Sequence, residues 1–402
     1  MDVKGLSRRP VIHVGSTKNL RQVKKVTPKN PGVFWFEFTD DYSVFDYGKM
    51  PDTIPNKGAA AAMMTAHLFE KISAPATWKA FVKNDVLAKV KDKALRAELA
   101  DSPVLKNLTK SGFPTHYQGI VNEDGQAVPV AKLKSPSRIV QVAAVRIVKP
   151  KIVNIAGRKL YDYSPIPASE SNFLVPAECI FRFGVPTGSS LLRRLERNPA
   201  YGDEIGLTKA IKAGSVLPKP IVEFTSKLEP SDRFWTYEFA LNASRLGAES
   251  FLKLQHGVLL MALCLREEFD RMGIKLWDGK FEFVHIGGAL SLGDAITPDE
   301  LRLTYKKLQV SKEPLRQYHL KHQPDFVAAV KKAAEMSVKD DRTLAAITKA
   351  LGHPPVPIDP AMRQAASDMY AGITETLLGR EVFGGTASLA DVTKQLKKLG
   401  VS

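Results

Sequence analysis

The order of apolar and polar residues predicts a chain whose strands come early and whose helices dominate later. Short apolar runs predict strands at residues 33–38, 139–152, 173–183, 275–284 and 289–292. Apolar residues at helical spacing predict helices at residues 59–72, 187–195, 250–272, 325–336, 342–351 and 361–378. This order indicates an α+β fold.

Turn signals mark the ends of several predicted elements. Residues 122–125, with the sequence NEDG, are typical of a hairpin turn, and Gly287-Gly288 predicts a second hairpin between the strands at 275–284 and 289–292. Gly273 and Gly379 directly follow predicted helices, as C-terminal caps do. These turns make the later hairpin and the long helix before it the best-defined part of the prediction.

Length and cysteine content narrow the class of protein. At roughly 150 residues per domain, 402 residues suggest two or three domains, or one two-lobed enzyme. The two cysteines, Cys179 and Cys264, exclude a disulfide scaffold and a cysteine-ligated zinc or iron–sulfur site. The N-terminus lacks a signal-peptide pattern, and no apolar run approaches the roughly 20 residues of a membrane span. We therefore expect a cytoplasmic protein without a membrane partner.

The net charge of +16 calls for an anionic partner. Nucleic acid, an acidic membrane surface and small phosphorylated substrates all satisfy that requirement. The basic residues form no block of five or more, and they are not interleaved with aromatic residues in the way that base-stacking surfaces are. Charge alone therefore leaves the class of partner open.

Two polar segments near the N-terminus could contact phosphate or carboxylate groups. Gly15-Ser16-Thr17-Lys18 combines a glycine, which lets the backbone approach a phosphate, with a lysine that can neutralise it. Residues 40–46 place three carboxylates and Ser43 between an aromatic strand and a helix, and the segment 54–58 follows. A simple turn and a capped turn are the structural alternatives for these two segments.

A third segment combines Arg182 with Gly188-Ser189-Ser190 and Arg193-Arg194, where a glycine turn leads into a helix. Helix N-terminal amides, serine hydroxyls and arginine side chains together are suited to a phosphate monoester. An arginine-rich exposed helix is the alternative interpretation.

The fourth segment is the strongest candidate for a site. Strand alternation puts Asp278, Lys280 and Glu282 on one face of a strand, and Asp294 follows the next strand of the hairpin. We expect Glu282 and Asp294 to meet as a carboxylate pair. Two carboxylates without His or Cys suit Mg²⁺ that is held together with nucleotide phosphates. An exposed strand face with salt bridges is the alternative.

Placed together, these segments resemble the SAICAR synthetase (phosphoribosylaminoimidazole-succinocarboxamide synthase) family. The matches run in family order over most of residues 13–380, and each one is short. They comprise residues 15–18, Thr39-Asp40 with Ser43, Phe45 and Asp46, residues 54–55 and 57–58, Pro176, residues 178–180, Arg182, residues 188–189, residues 217–218 and 220–221, Lys227, Glu229, Asp278, Lys280, residues 282–283, 292–294 and 298–299, residues 302–303, Lys312, Arg316, Tyr318, Tyr370 and residues 378–379.

The resemblance implies a reaction and its cofactors. The family joins the carboxylate of 5-aminoimidazole-4-carboxylate ribotide to the amine of L-aspartate, using ATP and Mg²⁺, with an acyl phosphate as the plausible intermediate. Positioning and charge neutralisation carry such a phosphoryl transfer, so no nucleophilic triad is needed. The basic net charge would then serve three anionic small molecules, namely ATP, the ribotide and aspartate. The resemblance leaves open whether the protein is a monomer or a homodimer.

The resemblance also implies residue roles. The ATP phosphates are assigned to Ser16, Thr17, Lys18 and Lys227, and Mg²⁺ to Glu282 and Asp294. The ribotide is assigned to Arg182, Ser189 or Ser190, Asp278 and Arg302. The reacting carboxylate and the incoming aspartate are assigned to Asp41, Ser43, Asp46 and Lys280, and Lys57 is a further expected substrate-binding residue. Lys280, Asp278 and Asp41 are the expected catalytic residues.

The family architecture implied here is two-lobed and ATP-grasp-like. We expect an antiparallel β-rich nucleotide-binding lobe at residues 1–175, with an insertion near 105–170, and a mixed α/β lobe at 176–402 that carries the ribotide and metal residues and the terminal helices.

Some positions depart from the family pattern. Arg182 and Ser189 are seven positions apart where the family usually has six, only Asp232 remains of a His-Asp pair, and Ala295 and Glu313 replace a Glu and a Gln. These changes favour, as an alternative, a homologous ATP-dependent amide ligase with a different carboxylate or amine. A nucleic-acid-binding protein is the remote alternative, which the charged strand residues do not support.

Overall fold

The computed structural model describes residues 3–166, 172–207, 210–230, 232–337 and 342–401. Its strands are β1 Val11–Val14, β2 Lys18–Lys24, β3 Gly32–Phe38, β4 Tyr117–Val121, β5 Ala127–Val128, β6 Ile139–Ala144, β7 Lys151–Ile155, β8 Arg158–Asp162, β9 Asn172–Gly184, β10 Val216–Ser226, β11 Phe234–Trp235, β12 Ile274–Ile286, β13 Ala289–Leu292, β14 Leu301–Tyr305 and β15 Leu308–Gln309.

The helices are α1 Lys57–Ser73, α2 Pro75–Lys83, α3 Lys93–Asp101, α4 Pro103–Ser111, α5 Ser190–Arg197, α6 Tyr201–Glu204, α7 Tyr237–Ser244, α8 Ala248–Arg271, α9 Glu313–His322, α10 Pro324–Ser337, α11 Leu344–Ala350, α12 Pro360–Leu378 and α13 Leu389–Lys398. Two 3₁₀ turns, Val86–Lys89 and Val130–Lys132, complete the regular structure. The α+β class is thus confirmed.

The first sheet is antiparallel and has the strand order β1-β2-β3-β6-β4-β5. One face of its central strands, with Phe38, Val140 and Val142, packs on Met63 and Ala66 of α1. The opposite face buries Trp35 against Ile139 and the N-terminal residue Val3. Both faces of the central strands are therefore covered, and β1 and β2 extend toward solvent at one edge of the sheet.

The second sheet is also antiparallel, with the order β11-β10-β9-β12-β14-β15 and β13 paired to β12. Strand alternation puts Phe181, Phe281 and Phe224 on one face, where they join a large apolar core with Leu254 and Val258 of α8. The opposite face carries charged side chains that are nevertheless mostly buried. This charged face is the structural basis of the candidate site.

Helix α8 is long and apolar. Within the described residues it is the one helix that is long and apolar enough to cross a membrane, and 67% of its apolar stretch is buried in the fold. Its apolar residues pack on β9, β10 and β12. By this burial α8 is the core helix of the second sheet.

One predicted strand is wrong in its extent. Residues 139–152 contain β6 and only the start of β7, which pairs with β8 in a separate two-stranded sheet. Pro150 precedes β7, and its missing N–H and fixed φ interrupt a continuous strand. The β7–β8 hairpin lies in the last part of the expected insertion near 105–170, whose earlier part also contains β4, β5 and β6 of the first sheet. Residues 167–171 lie outside the described part of the chain.

The helices α2, α3 and α4 were not predicted, although local signals for them exist. Pro75 and Pro103 are the first residues of α2 and α4, a position that proline favours. The side chains of Asp92 and Ser102 accept hydrogen bonds from the backbones of Leu95 and Leu105 and so cap α3 and α4. The division of the chain at residue 175 stays a prediction, and strand β9 crosses that position.

Candidate functional site

The charged face of the second sheet is built by matching registers on three adjacent strands. Glu178 on β9 lies opposite Thr225 on β10 and Glu282 on β12. Four residues further along β9, Arg182 lies opposite Asp278 on β12. Because side chains two residues apart in a strand share a face, Lys280 lies between these two positions on that face. The predicted grouping of Asp278, Lys280 and Glu282 is therefore seen in the structure.

At one end of this face, an arginine cluster surrounds Arg182. The Nη1 atom of Arg182 donates to Oδ2 of Asp278 at 2.6 Å, and its Nε atom donates to Glu223. Arg194 also donates to Glu223, and Arg302 lies 3.4 Å from Asp278. We call these five residues the arginine cluster.

Burial by itself would raise the pKa of Glu223, but the charges of Arg182 and Arg194 outweigh it and lower that pKa. The hydroxyl of Tyr201 adds a hydrogen bond of 2.6 Å to Glu223. Glu223 is therefore a carboxylate, and it holds two guanidinium groups at this end of the sheet.

The two candidate serines both lie beside Arg182. The guanidinium donates to Oγ of Ser190 at 3.2 Å and to Oγ of Ser189 at 3.5 Å. Ser189 also caps α5 by accepting a hydrogen bond from the backbone of Leu191. Gly188 precedes them with a φ of 78°, a conformation that glycine adopts without strain.

At the other end of the face, a lysine cluster combines Lys227 and Lys280 with Glu178 and Glu282. Lys227 donates to Glu282 at 2.6 Å, and Lys280 donates to Glu178 at 2.7 Å. Lys280 is also 3.4 Å from both Glu282 and Glu300. We call these five residues the lysine cluster.

The lysine cluster keeps its charges despite burial. Desolvation opposes the charge of Lys280, but Glu300, Glu282 and Glu178 together raise its pKa well above the usual range. The pKa of Lys227 is raised in the same way, chiefly by Glu282 against desolvation. Burial by itself would raise the pKa of Glu282, but the charges of Lys227 and Lys280 outweigh it and lower that pKa. The site thus holds permanent cations where a phosphoryl group could be neutralised.

Lys18 and Asp294 form an ion pair next to the lysine cluster. The β1–β2 turn presents Lys18, and a Cβ on Gly15 of that turn would lie 2.6 Å from the Lys18 carbonyl oxygen, so the turn requires glycine. Desolvation, with the nearby lysines, lowers the pKa of Lys18 to about 8, and Glu282 opposes this shift. The sequence predicted that Glu282 and Asp294 meet as a carboxylate pair. In the structure each of them is paired with a lysine instead, Glu282 with Lys227 and Asp294 with Lys18.

A second ion pair, between Lys57 and Asp299, is buried near the pair of Lys18 and Asp294. Lys57, at the start of α1, donates to Asp299 at 2.7 Å, and Asp299 also accepts a hydrogen bond from Tyr370 of α12. Burial would raise the pKa of Asp299, but Lys57 and Lys312 lower it to about 2. A cavity of about 30 Å³ connects this pair with Thr17, Lys18 and Asp294. It is large enough for about one water molecule.

Other predicted residues lie further from these clusters. Ser16 is exposed in the β1–β2 turn, and Thr17 accepts a backbone hydrogen bond from Thr39 at 2.8 Å. Asp41 pairs with Lys49 at 2.5 Å, and its expected catalytic role stays a prediction.

Ser43 and Asp46 follow Asp41 in the same loop. Ser43 is buried, and Asp46 is exposed with a φ of 57°. Burial and other charged groups have the larger effects on the pKa values of Asp232 and Lys312, and the charge of Asp46 acts to raise both.

Sequence reasoning assigned no role to Glu178, Glu223, Asp299 or His116. The first two alternate with apolar residues on β9 and β10, which was a usable signal for a charged strand face. Asp299 belongs to the segment 298–299 that matches the family pattern, although no role was assigned to it, and His116 is singled out only by its tertiary contacts.

His116 is a buried residue beside Asp294. Its Nε2 atom lies 3.0 Å from the Asp294 carbonyl oxygen. Burial and the charge of Lys18 lower the pKa of His116 to about 3, so the ring is neutral.

Mg²⁺ is compatible with the carboxylates present. Within the described ranges no group of three or more His, Cys, Asp or Glu side chains could hold a metal alone. Mg²⁺ bound together with phosphates usually takes one or two carboxylates and completes its shell with phosphate and water oxygens. Glu282 and Asp294 could supply these carboxylates, although each is paired with a lysine here, Glu282 with Lys227 and Asp294 with Lys18.

Larger cavities, of about 360 and 470 Å³, occur elsewhere and are lined mainly by apolar residues. Another, of about 260 Å³, includes Lys71, Glu267, Glu268 and Arg271, whose ion pairs lie partly exposed along α8 and are separate from the charged face of the second sheet. The charged face is therefore the better candidate site.

Comparison with known proteins gives a consistent result. The sequence profile of the SAICAR synthetase family matches residues 20–104 and 159–333. A provisionally named phosphoribosylaminoimidazole-succinocarboxamide synthase from Archaeoglobus fulgidus is 34% identical over 389 residues, which are 96% of this chain and 99% of that protein. The phosphoribosylaminoimidazole-succinocarboxamide synthase of Thermoplasma acidophilum is 27% identical over 227 residues, covering 54% of this chain and 71% of that protein.

A solved structure has a similar fold. SAICAR synthase from Saccharomyces cerevisiae in complex with SAICAR superposes with a TM-score of 0.54 at 19% identity, covering 95% of this chain and 99% of that one. The matches define an enzyme of the ligase class. The chain belongs to the SAICAR synthetase family. The resemblance predicted from the sequence is thereby confirmed, whereas the residue roles stay predictions.

Proposed function

We propose that this enzyme joins the carboxylate of 5-aminoimidazole-4-carboxylate ribotide to the amine of L-aspartate in purine biosynthesis, consuming ATP. The observation that carries the proposal is the pair of ion clusters on one sheet face of a chain of this family. One cluster suits a phosphate monoester and the other suits a phosphoryl group in transfer. The yeast relative was solved with SAICAR, which is the product this proposal assigns to the present enzyme. We assign the enzyme to the cytoplasm.

The arginine cluster is the proposed ribotide end. Arg302, which is partly exposed, would contact the phosphate from the open side, with the hydroxyl of Ser189 or Ser190 beside it. Arg182 would bind the phosphate only by giving up part of its contact with Asp278. Asp278 lies between the two arginines and would contact the ribose or the imidazole. Guanidinium groups suit this task because their donors match phosphate oxygens in a fixed geometry.

The lysine cluster and Lys18 are the proposed nucleotide end. Phosphate oxygens would replace carboxylate partners of Lys18 and Lys227, with the β1–β2 turn covering them. Mg²⁺, held by Glu282 and Asp294, would supply charge neutralisation at the phosphates. Lys280 would stay protonated and hold the reacting carboxylate, because three glutamates favour its charged form.

The chemistry then proceeds in two displacements. A carboxylate oxygen of the ribotide attacks the γ-phosphorus and ADP leaves, which gives an acyl phosphate. The amine of aspartate attacks the acyl carbon and inorganic phosphate leaves, which gives the amide. Both steps depend mainly on alignment and on the cations that neutralise the transferred group.

A related ligase with a different carboxylate or amine is the second candidate, and one observation favours it. Glu313 carries a negative charge beside the Gly188 turn and lies 3.3 Å from Arg316. The negative charge of Glu313 at this position would weaken binding of a doubly charged phosphate by repulsion. It would favour a substrate that carries a less negative group at this position.

The test is ADP release by the purified protein with ATP and Mg²⁺, omitting the ribotide and L-aspartate in turn. Release that requires both, together with formation of the succinocarboxamide ribotide, supports the proposal. ADP release that ignores either one contradicts it and favours the second candidate, which is then tested with other carboxylates and amines. The Glu282→Gln variant serves as the inactive control.

A further inference from the structure

His116 lies where the two large sheets are joined. Its backbone N–H donates to the carbonyl oxygen of Leu292 at the end of β13, at 2.9 Å, and its carbonyl accepts from the N–H of Ala143 on β6, at 2.7 Å. Leu292 in turn donates to the carbonyl of Pro114 at 2.8 Å. The segment 114–116 therefore connects the first sheet to the second at the residue that precedes Gly293 and Asp294.

The ring of His116 is fixed in orientation. It is buried, and it makes edge contacts with the rings of Phe36 and Phe69 at centroid distances of 5.5 and 5.8 Å. Its Nε2 atom lies 3.0 Å from the carbonyl oxygen of Asp294. The ring also has a backbone hydrogen bond with Ala143. Since a carbonyl oxygen can only accept a hydrogen bond, we assign the ring hydrogen to Nε2, which faces the Asp294 carbonyl.

Asp294 has a left-handed backbone conformation, with a φ of 53°. Aspartate adopts this region more readily than most residues other than glycine, so the contacts on either side of Asp294 decide whether it stays there. On the N-terminal side, Gly293 donates to the carbonyl of Glu282 at 2.8 Å. The His116 ring holds the C-terminal side, at the carbonyl of Asp294 itself. The carboxylate of Asp294 is thereby directed to Lys18.

We propose that His116 is a positioning residue for the nucleotide end of the site: its Nε2–H holds the Asp294 backbone in the left-handed conformation and so aims the Asp294 carboxylate. This inference rests on the proposed function, which gives Asp294 its role beside the ATP phosphates. His116 lies outside the ranges that the family profile matches. Partners that orient a metal-binding side chain without touching the ligand typically change affinity by about 10–100-fold when they are removed.

Two substitutions separate the hydrogen bond from the bulk of the ring. His116→Leu removes the donor and keeps an apolar side chain of similar size. His116→Gln keeps an N–H that can reach about the same point as Nε2. His67→Leu is the matched control, because it removes a second largely buried imidazole whose Nε2 has no hydrogen-bond partner within the described residues.

The probes are a non-hydrolysable ATP analogue, titrated with and without Mg²⁺, and the ribotide alone. We expect His116→Leu to weaken Mg²⁺-dependent binding of the analogue about 10–100-fold. We expect His116→Gln and His67→Leu to bind it within about threefold of the wild type, which lies below that range. Ribotide affinity should be unchanged in all three variants.

Crystal structures of the unliganded His116 variants give a readout that does not depend on the reaction. We expect Asp294 to leave the left-handed region in His116→Leu and to keep it in His116→Gln. Retention of that conformation and of full analogue affinity in His116→Leu would overturn the inference. An equal loss of analogue and ribotide affinity, or no rescue by His116→Gln, would show a general structural role instead and would also overturn it. A wild-type protein that binds no analogue would contradict the proposed function, and the conformation of Asp294 would still decide the role of His116.

Discussion

The arginine and lysine clusters occupy the same sheet face but differ in how far they are closed to water. The side chains of Arg182, Glu223 and Asp278 are 3%, 0% and 6% exposed. Lys227 and Lys280 are 29% and 25% exposed, although their partners Glu178 and Glu282 are as buried as the arginine cluster. The ion pairs of Arg182 are sealed on both sides, whereas Arg302, at the edge of the same cluster, is 22% exposed. The lysine cluster is open on its cationic side.

This difference separates two tasks. Removing one member of a sealed pair leaves a buried charge without a partner, which is costly. An open lysine can exchange its carboxylate for a phosphate at lower cost, because water already reaches it. We therefore expect substitutions in the arginine cluster to affect stability most and substitutions in the lysine cluster to affect turnover most.

Arg182→Met should give the largest effect, a loss of about 3–5 kcal/mol in the free energy of unfolding, because Glu223 and Asp278 each lose their principal partner. Urea denaturation measures it. Arg193→Met, an exposed arginine next to the same cluster, is the control and should change stability by less than about 0.5 kcal/mol. Equal losses of unfolding free energy in the two variants would show that the sealed ion pairs of Arg182 do not stabilise the fold, which would contradict the distinction between sealed and open clusters.

Glu282→Gln should lower kcat by about 10²–10³-fold, since it removes a carboxylate from the place where charge must be balanced during phosphoryl transfer. Steady-state kinetics with saturating substrates measures this loss. The unfolding free energy should change less than in Arg182→Met, because Lys227 and Lys280 keep Glu178 as a partner. Full turnover in Glu282→Gln would exclude the residue from the nucleotide end.

Asp299→Asn should change how stability depends on acid. The pKa of Asp299 is lowered to about 2 in the fold, so its charge stabilises the folded state above the ordinary carboxyl pKa and this contribution disappears as the pH falls from about 4 to 2. The difference in unfolding free energy between wild type and variant should thus shrink by about 2 kcal/mol between pH 5 and pH 2. Urea curves at each pH test this, and a difference that does not vary with pH would contradict it.

Lys227→Met should have the smallest effect on stability, below about 1 kcal/mol, because partly exposed ion pairs contribute little. The same variant should raise the KM for ATP. Differential scanning calorimetry and initial-rate kinetics give the two values. A stability loss as large as that of Arg182→Met would show that the lysine cluster is sealed as well.

The strand pattern of the sequence predicted part of this site. Alternation alone placed Asp278, Lys280 and Glu282 on one strand face, and the glycine turn before Lys18 was correctly located. The partner of Lys18 could not be found in this way, because Asp294 is far away in sequence and only the packing of the two sheets brings it close. The same holds for Lys57 and Asp299, which α1 and α12 enclose together with Tyr370.

The fold shows a similar limit. Long helices with a clear apolar period, such as α8 and α12, were predicted almost to their ends. The short helices α2 to α4 bury only one or two residues each, so their apolar period is weak. The better signals are Pro75 at the start of α2 and the side-chain caps of α3 and α4. Where a helix is too short to show a period of apolar residues, the residues at its N-terminus are a better signal for it than hydrophobicity is.

The most direct test of the division into two ends is the binding of two probes to two variants. Lys227→Met and Arg302→Met each remove a partly exposed cation, one from each cluster, and each is titrated with the ribotide and with a non-hydrolysable ATP analogue plus Mg²⁺. We predict that Arg302→Met weakens ribotide binding about 10–100-fold and leaves the analogue unaffected, and that Lys227→Met does the reverse, as expected for loss of one charged hydrogen-bonding group. Equal weakening of both probes in either variant would contradict the assignment of separate substrates to the two clusters.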